Sequence, residues 1–211
     1  MTGSLVLPIY LACDCSSGID QYRPLVDECY RLGLEPLAAH YFRVGAFVFG
    51  ERADVWWRLV SLLDLGSTYS EPRDNLGRSV RFGPLFDCVR IQADVDIAAL
   101  RLGGVRIARP MLFLLSHKNP DDEWEAAYES LMGQPWHPHI ISIDLGATSI
   151  STQRRIGKAA YRASEIGAVA RLVGDYVADA FRSRSSSQAG WTLPAHIEGL
   201  NLVWRGRVED Q

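Results

Sequence analysis

The residues best suited to chemistry lie close together near the amino end, where residues 5–19 read LVLPIYLACDCSSGI. An apolar run stops at Asp14 and gives way to Ser16, Ser17 and Gly18. A carboxylate and hydroxyls at this spacing are hard oxygen donors of the kind that Mg2+ or Mn2+ prefers. The same groups suit a plainer task, in which Asp14 and Ser16 hydrogen-bond the turn and cap the helix that follows. A nucleophilic reading is also open. Ser16 or Ser17 at a strand-to-helix turn, with His117 at one later strand end and Asp144 at another, sketches a Ser/His hydrolase, although no Gly-x-Ser-x-Gly elbow accompanies them.

For such groups to meet, the elements carrying them must end on one edge. The run before Asp14 is rich in Val, Ile and Leu, as in a strand covered on both faces of a parallel sheet, and ligand-facing loops of such sheets follow the carboxyl ends of the strands. After the Asp14 loop, Pro24 opens a helix with Leu25, Val26, Cys29, Tyr30 and Leu32 at helical spacing, and Gly33 closes it. Residues 37–49 alternate in the manner of a strand. The connection 50–52 is too short for a crossover, so 53–60 is expected to return antiparallel. Trp56 and Trp57 there are read as strand packing. Residues 64–74 form a loop by composition, and a helix carrying Leu76, Val80, Leu85 and Val89 follows, with Gly83 and Pro84 as interruptions. The segment 94–109 is ambiguous. MLFLL at 111–115 is a buried strand ending at Ser116 and His117. Pro120 and Asp122 mark the start of a third helix and Gly133 its stop; 139–145 is another strand; Ser151 or Thr152 starts a short helix. Residues 161–163 are a minimal last strand, and the stripe Val169, Leu172, Val173, Tyr176, Val177, Ala180 and Phe181 marks the final helix.

This alternation demands an α/β fold: a doubly wound, Rossmann-like, mostly parallel sheet of six strands, one antiparallel edge strand, and helices on both faces. A length of 211 residues suits one such domain, taken as 1–187. The tail 188–211 is expected to pack back through the apolar piece 197–204. With 22 basic against 25 acidic residues and a net charge of -3, nucleic acid is not an expected partner. The four cysteines, Cys13, Cys15, Cys29 and Cys88, sit in apolar contexts outside any Cys-x-x-Cys pair and are read as reduced. No positively charged leader precedes the first apolar run, and no later stretch has the length of a membrane span, so the expectation is a cytoplasmic protein away from the membrane.

Four stretches together resemble the von Willebrand factor A domain, in its bacterial tellurium-resistance-associated branch. LPIYLACDCSSGI resembles the first strand and the metal-ion-dependent adhesion loop, Asp-x-Ser-x-Ser. YFRVGAFVFGERADVWW is similar to the second strand and edge hairpin; DNLGRSVRF to the Thr-Asn-Leu-Gly start of the second helix; and RPMLFLLSHKNPDDEWEAAYESL to a strand ending in Thr-Asp-Gly and leading to Pro-x-Asp-Asp-Trp. The last helix is similar too. The resemblance implies a divalent ion held by the loop aspartate and two serines, a threonine and a third-loop aspartate. Asp14 and Ser16 match. The second serine falls on Gly18, the threonine on Asp74 and the last aspartate on His117, with Thr68 a replacement only under a different threading.

Two outcomes follow from those changes. Either the ion is lost, with Asp74 serving as a helix cap and His117 pairing with Asp14. Or Asp14, Ser16, Asp74 and His117 form a rebuilt site, weak for Mg2+ and better suited to Mn2+ or Zn2+. The resemblance implies a non-enzymatic protein-binding module of bacterial stress or conflict signalling, with Ser16, Ser17, Asp74, His117 and Asp14 on the partner-facing side. The hydrolase, and a structural subunit assembling through its tail or tryptophans, are the rival expectations.

Overall fold

The computed structural model describes residues 5–16, 20–33, 41–64, 76–146, 148–183 and 198–205, with backbone alone for 30–33, 62 and 177–183. Ser17, Thr68 and Asp74 lie outside the described residues, as does the Gly18 position. In chain order the elements are β1 (Leu5–Asp14), α1 (Arg23–Gly33), β2 (Phe42–Phe49), β3 (Ala53–Ser61), α2 (Phe82–Leu102), β4 (Arg106–Ile107), β5 (Met111–Ser116), α3 (Glu125–Met132), β6 (His139–Asp144), α4 (Ile150–Ile156), β7 (Ala159–Ala163), α5 (Ile166–Ser183) and β8 (Leu200–Arg205).

One eight-stranded sheet runs β3-β2-β1-β5-β6-β7-β8, with two-residue β4 pairing on β1. The doubly wound α/β class is as the alternation demanded, but the described residues form eight strands rather than six, with two antiparallel edges rather than one. β3 returns along β2 with Phe49 opposite Ala53, and β8 returns along β7 with Ala163 opposite Leu200. The ambiguous segment after residue 94 resolves into the second half of α2, the Gly103–Gly104 turn and β4.

Pleat alternation splits β1 between two cores. Leu7, Ile9, Leu11 and Cys13 join the layer that contains Leu25, Val26 and Cys29 of α1 and Val169, Leu172 and Val173 of α5. Tyr10 and Ala12 join the opposite layer, with Phe82, Phe86 and Val89 of α2 and Leu131 of α3. Both faces are therefore covered, which is why β1 carries no polar residue until Asp14. Trp56 and Trp57 are buried strand packing, as expected.

Two helix starts differ from expectation. α2 begins at Phe82, so Leu76 and Val80 precede it, and Pro84 sits in its first turn, where the missing N–H costs nothing. α3 begins at Glu125, beyond Pro120 and Asp122. The reason is tertiary. Asp122 turns away from its own helix and accepts the backbone N–H groups of Phe82 and Gly83, capping α2 from the neighbouring loop.

Candidate functional site

The carboxyl ends of β1, β5 and β6 meet at one edge because these strands are parallel neighbours, with Cys13 opposite Leu115 and Ser116 opposite Asp144. Asp14 is fully buried there. Its Oδ1 accepts the Ser16 N–H at 2.9 Å and its Oδ2 the His117 N–H at 3.0 Å, with the Ser116 hydroxyl 3.3 Å away and sharing its one proton between Oδ2 and the Lys118 carbonyl at 2.8 Å. Burial alone would raise the Asp14 carboxyl. The His117 side chain and backbone N–H, together with Ser16, outweigh that and hold it below the usual carboxylate range.

His117 comes from the turn after β5. Its Nε2 lies 2.9 Å from Gln21 Oε1, an acceptor, so in the neutral ring Nε2 carries the proton and Nδ1 a lone pair. Nδ1 stands 3.6 Å from Asp14 Oδ2, beyond hydrogen-bond distance yet near enough for the ring to act on the carboxylate. Nδ1 and the buried Ser16 Oγ have no hydrogen-bond partner among the described residues. Tyr22 steadies the loop, donating its hydroxyl to the Asp14 carbonyl at 2.7 Å and meeting the His117 ring edge-on at 6.4 Å.

The structure thus brings Asp14, Ser16 and His117 together. Both parts of His117 meet Asp14 Oδ2, the backbone N–H at 3.0 Å and the imidazole Nδ1 at 3.6 Å. Asp144 is committed elsewhere: Oδ1 accepts from Gly146 N–H and Thr148 N–H, each at 2.9 Å, and Oδ2 from Arg162 Nε at 2.8 Å. It closes its own loop and does not orient His117, so the hydrolase triad is not assembled.

The ion implied by the resemblance has a poor donor set. At matching positions the described residues offer Asp14 and Ser16 as oxygen donors, with two backbone N–H groups already on the Asp14 carboxylate and the Ser116 hydroxyl beside it. Among the described residues no group of three His, Cys, Asp or Glu could hold a metal. These side chains do not fit the near-octahedral oxygen shell of Mg2+.

Sequence reasoning missed Ser116, Gln21, Tyr22 and Lys118. Lys118 Nζ donates to the Arg78 carbonyl at 2.7 Å, tying the turn after β5 to the segment before α2. Ser116 had a signal, a hydroxyl at the end of an apolar strand facing another strand-end carboxylate. Gln21 and Tyr22 had none, because their reach depends on the turn that folds 20–22 back over β1.

No protein-family model matches the sequence, and no curated protein matches it. Solved structures do match. Proximal thread matrix protein 1 from the mussel byssus, in a form with a zinc-occupied MIDAS motif, is similar with a TM-score of 0.63 and 13% identity over 83% of this chain and 48% of that one. A second crystal form gives a TM-score of 0.62 and 12% identity over 83% of this chain and 49% of that chain. A von Willebrand factor type A protein from Catenulispora acidiphila gives a TM-score of 0.56 and 12% identity over 85% of this chain and 43% of that one. The chain spans less than half the length of these structures. The likeness is one of fold, and the fold is that of von Willebrand factor A domains.

Proposed function

We propose that this von Willebrand factor A-like domain is a non-enzymatic module that binds a partner protein through the loop face around Asp14, without relying on a Mg2+ ion. The observation that carries this reading is the satisfied Asp14 carboxylate, buried and hydrogen-bonded by Ser16, Ser116 and His117. Internal donors already occupy this carboxylate, and among the described residues they tie the β1 loop to the turn after β5. Contact with the partner then falls to the loop side chains themselves, Ser16 and His117 among the described residues, with Ser17 and Asp74 as further candidates.

The non-catalytic reading is supported by Asp144, which is tied to Arg162 instead of His117. The bacterial stress or conflict setting rests on the sequence resemblance. A cytoplasmic, reducing location suits four free cysteines, of which Cys15 and Cys29 are pushed up to about 12 by burial and resist oxidation through the thiolate. No helix among the described residues is long and apolar enough to cross a membrane.

The test is affinity capture from the native host with wild-type protein, His117→Ala and Ser16→Arg, each with Mg2+ and with chelator. The reading requires a prey retained in chelator and lost in both variants. Retention that needs Mg2+ overturns metal independence. Turnover of an ester or phosphoester probe that disappears in Ser16→Ala overturns the non-enzymatic assignment.

A further inference from the structure

The outer face of α2 carries an apolar stripe that plays no part in the loop face. Away from its core side run Pro84, Ile91, Val95, Ala98 and Leu102, with Cys88 half-buried at the stripe's edge against the core, at successive spacings of 4, 3, 4, 3 and 4 residues over the whole 21-residue helix. Ile91 is 59% exposed, Val95 57% and Leu102 90%, three of the few large apolar side chains this exposed among the described residues. A surface helix needs only one apolar side. A second stripe with a 3.5-residue period is the seam by which helices pair.

The charges beside the stripe specify what covers it. Along one flank, at intervals of seven, stand Asp87, Asp94 and Arg101, and along the other Gln92 and Ala99. Asp94 is held in place by the Trp136 indole, which donates to its Oδ1 at 3.0 Å. We propose that α2 pairs with α2 of a second copy of this chain, antiparallel about a two-fold axis. Val95 then lies opposite Ala98 of the second copy and Ile91 opposite Leu102. That register sets Asp94 beside Arg101 of the second copy, and symmetry repeats the pair. Parallel pairing instead sets Asp94 beside Ala99 and Asp87 beside Gln92, with no opposite charge to meet. The helix is thus complementary to itself in one direction only.

Equilibrium sedimentation of the full chain tests this. The expected result is a monomer–dimer equilibrium abolished by Val95→Lys, with the circular dichroism spectrum and unfolding temperature of that variant unchanged because the site is exposed. Asp94→Arg should weaken the dimer by about tenfold, and Asp94→Arg combined with Arg101→Asp should restore it. Mild oxidation should leave Cys88 unbridged, since antiparallel helices keep the two thiols ~25 Å apart along the axis. A monomer at the highest attainable concentration, a dimer indifferent to Val95→Lys, a double variant that fails to recover, or a Cys88–Cys88 disulfide would each overturn the proposal.

Discussion

The carboxylate of Asp122 accepts the Gly83 N–H at 2.8 Å and its other oxygen the Phe82 N–H at 2.9 Å, so the loop after β5 caps a helix that begins some forty residues earlier. A Cβ on Gly83 would stand 2.7 Å from Asp122 Oδ2, closer than side-chain carbons approach an oxygen. Asp122→Ala should therefore destabilise the fold by about 1–2 kcal/mol, the usual worth of a helix cap. Gly83→Ala should act on the same bond, and in denaturant titrations the double variant should cost clearly less than the two single losses together. Full additivity would mean that the cap is not shared.

The ion is tested by thermal unfolding. Millimolar Mg2+ should leave the midpoint within about 1 °C of the value in chelator, because a cation stabilises only a folded state that binds it. Stabilisation by Mn2+ or Zn2+ that vanishes in Asp14→Ala, Asp74→Ala and His117→Ala alike would reveal a rebuilt site using the free His117 nitrogen. A Mg2+ shift lost in Asp14→Ala yet kept in His117→Ala would restore the usual adhesion mechanism.

His139 gives a pH prediction at the opposite edge of the sheet. Burial, then the charges of Lys158 and Arg109 and the neighbouring His137, push its imidazole down to about 4, and Arg109 Nη1 lies 3.2 Å from its Nε2, where a neutral ring accepts. The unfolded chain takes up this proton near ~6.5, before the folded one does. The contribution is therefore complete above that pH and is lost as pH falls toward about 4. Between pH 7 and 5, His139→Gln should remove on the order of 1–2 kcal/mol of the acid-induced loss of stability, a range discounted for partial exposure. An unchanged acid profile would refute a neutral buried ring.

Gln153 of α4 is fully buried, and neither its Oε1 nor its Nε2 has a hydrogen-bond partner among the described residues. An unsatisfied buried amide costs about 1–3 kcal/mol, so Gln153→Met, similar in length and apolar, should stabilise the protein. Loss of stability in calorimetry would indicate that the amide is bonded after all.

What was legible in the sequence was whatever local pattern decides. β1 is apolar on both faces, the 50–52 connection is too short to cross over, and α5 repeats its core face at helical spacing, so each declared itself. The start of α2 did not, because its cap comes from Asp122, some forty residues later in the chain. The start of α3 was displaced for the same reason. β8 was hidden because, of its six residues, only Leu200 is buried, too little alternation to mark a strand. At the site, Asp14, Ser16 and His117 were readable as types at strand ends. That Asp14 is satisfied by two backbone N–H groups and the Ser116 hydroxyl was not, since backbone donors carry no residue signature.

The place of β1 in the sheet also governs how the chain is born. β1 pairs with β2 on one side and β5 on the other, yet β5 leaves the ribosome roughly a hundred residues later, an interval on the order of 5–20 s at ordinary rates of synthesis. Throughout that time this long apolar strand has one open edge, a row of unpaired backbone groups able to template a neighbouring nascent chain. The edge strands β3 and β8, which close the finished sheet, cannot shield it. The feature that buries Asp14 most deeply in the mature fold therefore makes the half-made chain a client for chaperones until Met111–Ser116 has emerged.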